Sequence, residues 1–188
     1  MIYVETPRLV LRNWRESDRD LFREINADPK VMEYFPGRRS YSEADAMLER
    51  VRRMIVYHGI GFFAMAIKDT DEPIGFCGLA LPSLEPHLPK GTVEIGWRLA
   101  TRFWGNGYVT EAAKALLRFG FIEHDMTEIV SFAVADNRRS TAVMERIGMV
   151  ADPAGDFDHP RVPDSHPHLK RHVLYRLTAE QFHLTRQT

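Results

Sequence analysis

Two glycines stand one residue apart in TRFWGNGYVTEAAK (101–114), directly before a run of strong helix formers. Glycine allows a sharp turn and lets a ligand approach the backbone closely. The first amides of a helix have no intrahelical partner, and the helix dipole adds partial positive charge there. Gly105 and Gly107 therefore predict a cradle for a phosphate group. Side chains that could add charge or a hydroxyl are Arg102, Tyr108 and Thr110.

The glycine pair is also compatible with a different nucleotide site or with no site. No Lys-Ser or Lys-Thr pair follows it, so a Walker P-loop is excluded. Gly105-x-Gly107-x-x-Thr110 approximates a dinucleotide fingerprint, and Asp136 follows the next predicted strand. However, the third glycine is missing, and too little chain follows to build the remaining parallel units. The glycines could also form only a tight turn.

Hydrophobic patterning predicts the elements that position this cradle. Residues 92–100 and 128–135 are predicted strands, with a helix over 108–123 between them. Such a βαβ unit predicts parallel, neighbouring strands. Further strands are predicted at 8–14, 62–68 and 74–81, another begins at Met149 and decays into a polar loop, and a strand and a short helix are predicted over 171–182. Other predicted helices begin at the caps Ser17 and Ser42, the second ending near Gly59, and a last one covers 136–148.

Composition limits the class of protein. The 188 residues suit one domain of ordinary size. A net charge of -1 argues against a nucleic-acid partner. The single cysteine, Cys77, allows no intrachain disulfide and favours a reducing compartment. The N-terminus lacks a signal-peptide pattern, and no stretch approaches the roughly 18 apolar residues needed to span a membrane. We therefore expect a cytoplasmic protein with no membrane partner.

The order of motifs resembles the GCN5-related N-acetyltransferases, the GNAT superfamily. TPRLVLRNWRESD (6–18) is similar to the opening strand of the branch that acetylates N-terminal alanine or serine of ribosomal proteins. Residues 102–107 match the superfamily motif R/Q-x-x-G-x-G/A, and 137–149 match its later asparagine-to-glycine segment. The resemblance covers nearly the whole chain. It implies a single α/β domain over 1–188, with a mixed, mostly antiparallel sheet of six to seven strands, splayed in the middle and flanked by about four helices.

The resemblance also implies acetyl-CoA as co-substrate, and no metal. The pyrophosphate would lie on backbone amides of the 102–109 segment, and the pantetheine arm would bond to backbone near Trp97 and Leu99. Asn137 would hold the pantetheine or the thioester. The implied cofactor-binding residues are Trp97, Leu99, Arg102, Phe103, Trp104, Gly105, Asn106, Gly107, Tyr108, Val109, Thr110 and Asn137.

The implied reaction is attack of a primary amine, from a protein N-terminus or a small molecule, on the thioester. An α-amino group has a pKa near 8, so a weak base suffices. Glu94 is the candidate base, with a solvated or ion-paired carboxylate as the alternative. Many superfamily members use a tyrosine acid seven residues after the Asn137 position, where this chain has Met144. In the branch that this chain resembles, a hydroxyl at the position of Ser140 looks like the substitute, so the resemblance implies Ser140 as the candidate acid, with a helix-capping hydroxyl as the alternative.

Several other residues are of types that often take part in catalysis or binding. Glu111 is better explained as a first-turn carboxylate favoured by the helix dipole, and Cys77 as a buried strand thiol. The histidine-rich segment 156–172 could hold a metal, but its irregular spacing favours a solvated loop that helps to choose the acceptor. Aromatic residues that could line the acceptor site, or pack in the core, are Trp14, Tyr34 and Phe35.

Three functions remain to be compared. The leading one is an acetyl-CoA-dependent N-acetyltransferase. The loss of the tyrosine at Met144 keeps a non-catalytic CoA-binding or sensing module as the alternative. A nicotinamide-binding enzyme is the third. The resemblance allows a homodimer, which is common in that branch.

Overall fold

The computed structural model describes residues 1–184 and contains nine strands and five α-helices over that range. In chain order they are β1 (Ile2–Glu5), β2 (Leu9–Arg12), α1 (Arg19–Ala27), α2 (Tyr41–His58), β3 (Phe62–Ile67), β4 (Pro73–Ala80), β5 (Glu94–Leu99), α3 (Tyr108–Arg118), β6 (Glu128–Val134), α4 (Arg138–Arg146), β7 (Val150–Ala151), β8 (Phe157–Asp158), β9 (Arg171–Thr178) and α5 (Ala179–Leu184). The predicted α/β class, with a mixed and mostly antiparallel sheet, is confirmed. The nine strands exceed the six or seven expected by the short strands β1 and β8, of which β1 has no buried residue and β8 has only two residues.

The chain forms two compact units. The first contains Met1–Ala80 and Gly96–Leu116, and the second contains Leu81–Ile95 and the chain from Leu117 onward. Strand β5 therefore contributes its first two residues to the second unit and the others to the first. The prediction of a single domain over 1–188 stays a prediction.

The first unit is built on the strand order β1-β2-β3-β4-β5, and its first four strands pair antiparallel. Helix α1 buries Leu21, Phe22 and Ile25, which recur at helical spacing. Trp14 is 3% exposed, and its indole Nε1 donates to the carbonyl of Phe62 at 2.8 Å. Trp14 is therefore a core residue, which decides between the two roles predicted for it.

Two predicted helix caps are wrong by a few residues. Helix α2 begins after Ser40, whose hydroxyl accepts from the amide of Glu43 while the Glu43 carboxylate accepts from the amide of Ser40. This reciprocal capping box outcompetes Ser42, which lies inside the helix. Ser17 lies in a 3-10 turn before α1 and is not its N-cap. The end of α2 is as predicted, with Gly59 left-handed at φ 72°.

The second unit contains the start of β5, then β6, β9 and β7 in order, with β8 also on β9. The predicted parallel pairing is confirmed, and its register joins Glu94 to Val130. Beyond that pair, the Ser131 hydroxyl donates to the carbonyl of Ile95 at 2.9 Å. On its other side, β6 pairs antiparallel with β9 along its whole length. The core here contains Leu84, Leu88, Val130, Phe157 and Leu174.

The predicted helix over 108–123 is confirmed as α3, continued by a wider turn at Phe119–Glu123. Among helices in the described part of the chain, none is long and apolar enough to cross a membrane.

Candidate functional site

The loop before α3 takes its shape from its two glycines. Gly105 has φ 79° and Gly107 has φ 76°, and both values lie in the left-handed region that side chains disfavour. A Cβ added at Gly105 would meet no atom within 4 Å. Backbone conformation, and not crowding by the protein, therefore requires glycine at Gly105. The space beside this backbone is open to a ligand.

The amides at the start of α3 are free to bind such a ligand. The amide of Glu111 donates to the carbonyl of Gly107 at 3.0 Å and closes the first helical turn. Within residues 1–184, no hydrogen-bond acceptor serves the preceding amides, those of Gly107, Tyr108, Val109 and Thr110. Unpaired amides at the positive end of a helix form a site for a phosphate group.

Two side chains hold the loop in place. Asn106 Nδ2 donates to the carbonyls of Phe103 at 3.1 Å and Trp104 at 3.2 Å. Trp104 Nε1 donates to the carbonyl of Leu99 at 2.8 Å, which ties the loop to the end of β5. Trp97, two residues before Leu99 on β5, is half-buried. The loop is therefore preorganised by its own side chains.

Glu111 anchors the first turn of α3, as its position predicts. Its carboxylate accepts from the Thr6 hydroxyl at 2.6 Å, the Arg8 amide at 3.0 Å and Arg8 Nε at 2.6 Å. Partial burial acts to raise the pKa of Glu111, but these hydrogen bonds outweigh it and hold that pKa below its usual range. Glu111 is therefore an ionised structural carboxylate.

Arg8 is a cation at the loop that the sequence analysis did not single out. Its Nη1 donates to the carbonyl of Asn106 at 3.1 Å, and its Cζ lies 4.7 Å from the ring centroid of Tyr108. Arg102, which was expected to add charge here, forms an ion pair with Glu24 and stacks on Phe103. In the sequence, only the opening stretch Thr6-Pro7-Arg8 points to Arg8, because nearly a hundred residues separate Arg8 from the glycine loop.

Glu94, in the second unit, is a carboxylate without a hydrogen-bonded partner among the described residues. It is half-buried at the start of β5, and no hydrogen-bond donor within the described range reaches its carboxylate. Desolvation raises the pKa of Glu94 to about 8, and the charge of Arg161 offsets only part of that rise. Arg161 is itself fixed, since its Nη2 donates to the carbonyls of Pro82 and Ser83 at 2.9 and 2.8 Å.

Asn137 and Ser140 meet at the start of α4. Asn137 Oδ1 accepts from the amide of Ser140 at 3.2 Å, so Asn137 is the N-cap of this helix. The Ser140 side chain is half-buried in the first turn. Met144 is 1% exposed, one turn further on. The residue at the position of the superfamily tyrosine is therefore apolar and packed in the core.

The histidine-rich segment 156–172 is more ordered than the expected solvated loop. The rings of His159 and His172 pack at a tilt of 44° with centroids 4.8 Å apart, and both rings approach Phe157 and Phe132. Burial is the main cause that lowers the pKa of His159 to about 4, and it also lowers the pKa of His172. Aromatic packing explains this order, since Phe157 belongs to the core of the unit. No cluster suited to a metal ion occurs in the part of the chain that the structure describes.

Cys77 is fully buried on β4, in the first unit. Burial raises the pKa of its thiol far above the usual range. A thiol held protonated in the core is no nucleophile, in agreement with the structural role predicted for it.

The predicted site residues thus fall into two groups. The proposed cofactor residues from Trp97 to Thr110 all belong to the first unit, where the glycine loop and the start of α3 bring them together. Glu94, Asn137 and Ser140 belong to the second unit. Asn137 and Ser140 are in contact there, at the start of α4.

Comparison with known proteins identifies the class of fold. The family model described as "Acetyltransferase (GNAT) domain" matches residues 8–150. The acetyltransferase from Agrobacterium tumefaciens str. C58 is 29% identical, with a TM-score of 0.73 over 93% of this chain and 92% of that one. The ribosomal L7/L12 alpha-N-protein acetyltransferase RimL, solved in complex with coenzyme A, is 16% identical, with a TM-score of 0.75 over 95% and 98%.

The chain belongs to the GNAT acetyltransferase family, as the motifs implied. A curated relative, the uncharacterized protein YkkB of Bacillus subtilis (strain 168), is 32% identical over 145 residues, which are 77% of this chain and 83% of YkkB. Family membership makes the chain an acetyltransferase.

Proposed function

We propose that this chain transfers an acetyl group from acetyl-CoA to a primary amine, which belongs to a protein N-terminus or to a small molecule. We also propose that residues 1–188 act as one domain, in the cytoplasm. The observation that carries the proposal is the row of unpaired amides at the start of α3, beside two left-handed glycines. The GNAT family and the CoA-bound relative RimL support it.

The residues at the glycine loop fit the diphosphate of CoA. The amides of Gly107, Tyr108, Val109 and Thr110 supply donors without competing acceptors, and Arg8 adds a positive charge. The pantetheine arm is assigned to the backbone near Trp97 and Leu99, and its thioester end to Asn137. When bound, acetyl-CoA supplies the thioester carbonyl that the amine attacks.

The proposed base is Glu94. An ammonium group cannot attack a carbonyl, so the acceptor amine must first lose a proton. With a pKa of about 8, the Glu94 carboxylate matches the pKa of an α-amino group, and the transfer of that proton is close to balanced. An intervening water would suffice as carrier. Ser140 is the proposed donor to the departing thiolate, from the first turn of α4.

The test is thiol release from acetyl-CoA in the presence of N-terminal peptides and small amines. We expect turnover with at least one amine, and losses of about 100-fold or more in Glu94→Gln. Ser140→Ala should lower kcat, and both variants should bind CoA as the wild type does in calorimetry. Binding without thiol release by any amine would support the non-catalytic CoA module instead. Thermal stabilisation by NAD and not by CoA would support the nicotinamide alternative.

A further inference from the structure

Arg98, in the first unit, is a half-buried cation on β5 that packs on aromatic rings. Its Cζ lies 4.3 Å from the ring centroid of Phe35 and 5.4 Å from that of Phe76. Such contacts stabilise the positive charge but occupy none of the five N–H donors of the guanidinium. The donors of Arg98 must therefore find acceptors elsewhere.

Only one of these donors is bonded within residues 1–184. Arg98 Nη1 donates to Asn26 Oδ1 at 2.6 Å. Asn26 is fully buried, and its Nδ2 donates to the carbonyl of Phe22 at 2.7 Å, so its oxygen is held toward Arg98. Arg98 Nε is buried without a partner, and Nη2 has no acceptor over the same range. A buried donor without an acceptor is costly, which suggests that a ligand satisfies it.

The unpaired donors share one edge of the side chain. In arginine, Nε–H and one N–H of Nη2 point the same way, and this pair matches the two oxygens of a carboxylate. The asparagine contact uses the other terminal nitrogen. Arg98 therefore presents the edge that binds a carboxylate in two parallel hydrogen bonds.

The surroundings of Arg98 also lack a neutralising acid. Arg12, a more deeply buried arginine of the same unit, pairs with Asp18 at 2.6 Å and with Asp71 at 3.1 Å. Arg98 has no such ion pair among the residues that the structure describes, and its polar partner Asn26 is neutral. Burial, helped by the charge of Arg39, lowers the pKa of Arg98 to about 10. The site is thus positively charged, and a bound anion would stabilise that charge.

We infer that Arg98 binds a carboxylate of the acceptor, so that the substrate is an amine that also carries a carboxylate, such as an amino acid or an acidic peptide. This inference rests on the proposed function. The phosphates of CoA are assigned to the glycine loop, so the anion at Arg98 belongs to the acceptor. Arg98 is only partly buried, so a ligand can reach its side chain from solvent.

The first experiment compares the same amine as an acid and as an amide, with the wild-type chain. Amino acids and short peptides are offered as free carboxylates and as carboxamides, and KM is measured by thiol release. A charge-assisted pair predicts a KM about 10- to 100-fold lower for the acid. Equal KM values, or tighter binding of O-phosphoethanolamine than of β-alanine, would overturn the carboxylate assignment.

The second experiment changes the cation. Arg98→Met keeps most of the volume and should raise KM for the acid about 10- to 100-fold, with kcat and the KM of the amide little changed. Arg98→Lys keeps the charge but cannot form two parallel hydrogen bonds to a carboxylate. Its KM for the acid should lie between those of the wild type and Arg98→Met. Arg53→Met, an exposed change on α2, is the matched control. If Arg98→Met alters acid and amide alike, Arg98 is structural and the inference fails.

Two further measurements test the carboxylate site at Arg98. Asn26→Asp places a carboxylate beside Arg98 and leaves Arg98 in place. It should weaken binding of the acid but not of the amide, and it can be measured even if Arg98→Met does not fold. Calorimetry with the acid and amide pair, in the absence of acetyl-CoA, reads binding without turnover. Failure of the proposed function appears as no thiol release, whereas failure of this inference appears as equal binding of acid and amide.

Discussion

At the scale of single residues, the proposed role of Glu94 as the base, together with its raised pKa, sets the expected pH dependence of catalysis. A base acts only when deprotonated, and Glu94 with a pKa of about 8 is mostly protonated at pH 7. We therefore expect kcat/KM to rise from about pH 6.5 to about pH 9, with a midpoint near 8. In Glu94→Gln, any remaining rise should follow the pKa of the acceptor amine alone.

The two contributions separate when acceptors of different basicity are compared. A wild-type midpoint that stays near 8 across such acceptors belongs to the enzyme. One that moves entirely with the acceptor, in both wild type and Glu94→Gln, would show that Glu94 is not the base.

The sequence alone was enough to predict the roles of some of these residues but not of others. Gly105, Gly107, Glu111 and Cys77 were predictable because their roles depend on the neighbouring chain: a turn, a helix start, an apolar strand. Arg98 was not, since the lack of a carboxylate partner becomes visible only once α1 and β5 are folded together.

At the scale of elements, the turn from β5 into α3 is the feature most open to a direct test. Gly107→Glu adds a side chain in a left-handed conformation and a negative charge beside the unpaired amides. We expect CoA affinity to fall by at least about 100-fold, through bulk and like-charge repulsion, as measured by calorimetry. Gly91→Glu is the control, because Gly91 is also left-handed, at φ 87°, with no atom near its Cβ position. Equal losses of affinity in both variants would argue against a diphosphate at the glycine loop.

Elements with a strong local pattern were predicted well. The parallel β5–α3–β6 unit followed from two apolar runs separated by one amphipathic run, and the hairpin of β3 and β4 followed from a tight turn between strand patterns. Errors arose where local signals compete. Ser40 and Ser42 are both good N-cap residues. Ser40 is the N-cap because the Glu43 carboxylate accepts a hydrogen bond from the Ser40 amide and completes a capping box. β1 was missed because it lies at the edge of the sheet and none of its residues is buried, whereas β2, of the same length, is buried throughout.

At the scale of the whole molecule, the part of the chain outside the family match completes the fold. The match ends at residue 150, yet β9 (Arg171–Thr178) pairs with every residue of β6. β9 and the segment before it also carry His159, His172 and Phe157, which pack together. The stability of the second unit therefore depends on residues that the family motifs do not describe.

This packing predicts a loss of stability in acid. The pKa of His159 is about 4 in the folded chain and near 6.5 when unfolded, so the unfolded chain binds the proton first as pH falls. The stabilising contribution is complete above about pH 6.5 and is lost between about 6.5 and about 4. The charges of His172, Arg161 and His87 also lower the pKa of His159, while Asp158 partly opposes the shift of His172.

His159→Phe keeps an aromatic ring packed at this position and removes the titration. Between about pH 7 and about pH 4, the free energy of unfolding measured by urea melts should decrease in both proteins. The decrease in His159→Phe should be smaller than in the wild type by roughly 1–3 kcal/mol. His58→Phe, at an exposed position, should leave the slope unchanged. If His159→Phe and wild type lose stability in parallel, neutral packing of this histidine does not govern the acid limit, and carboxylates paired elsewhere, such as Glu111 with Arg8, become the stronger candidates.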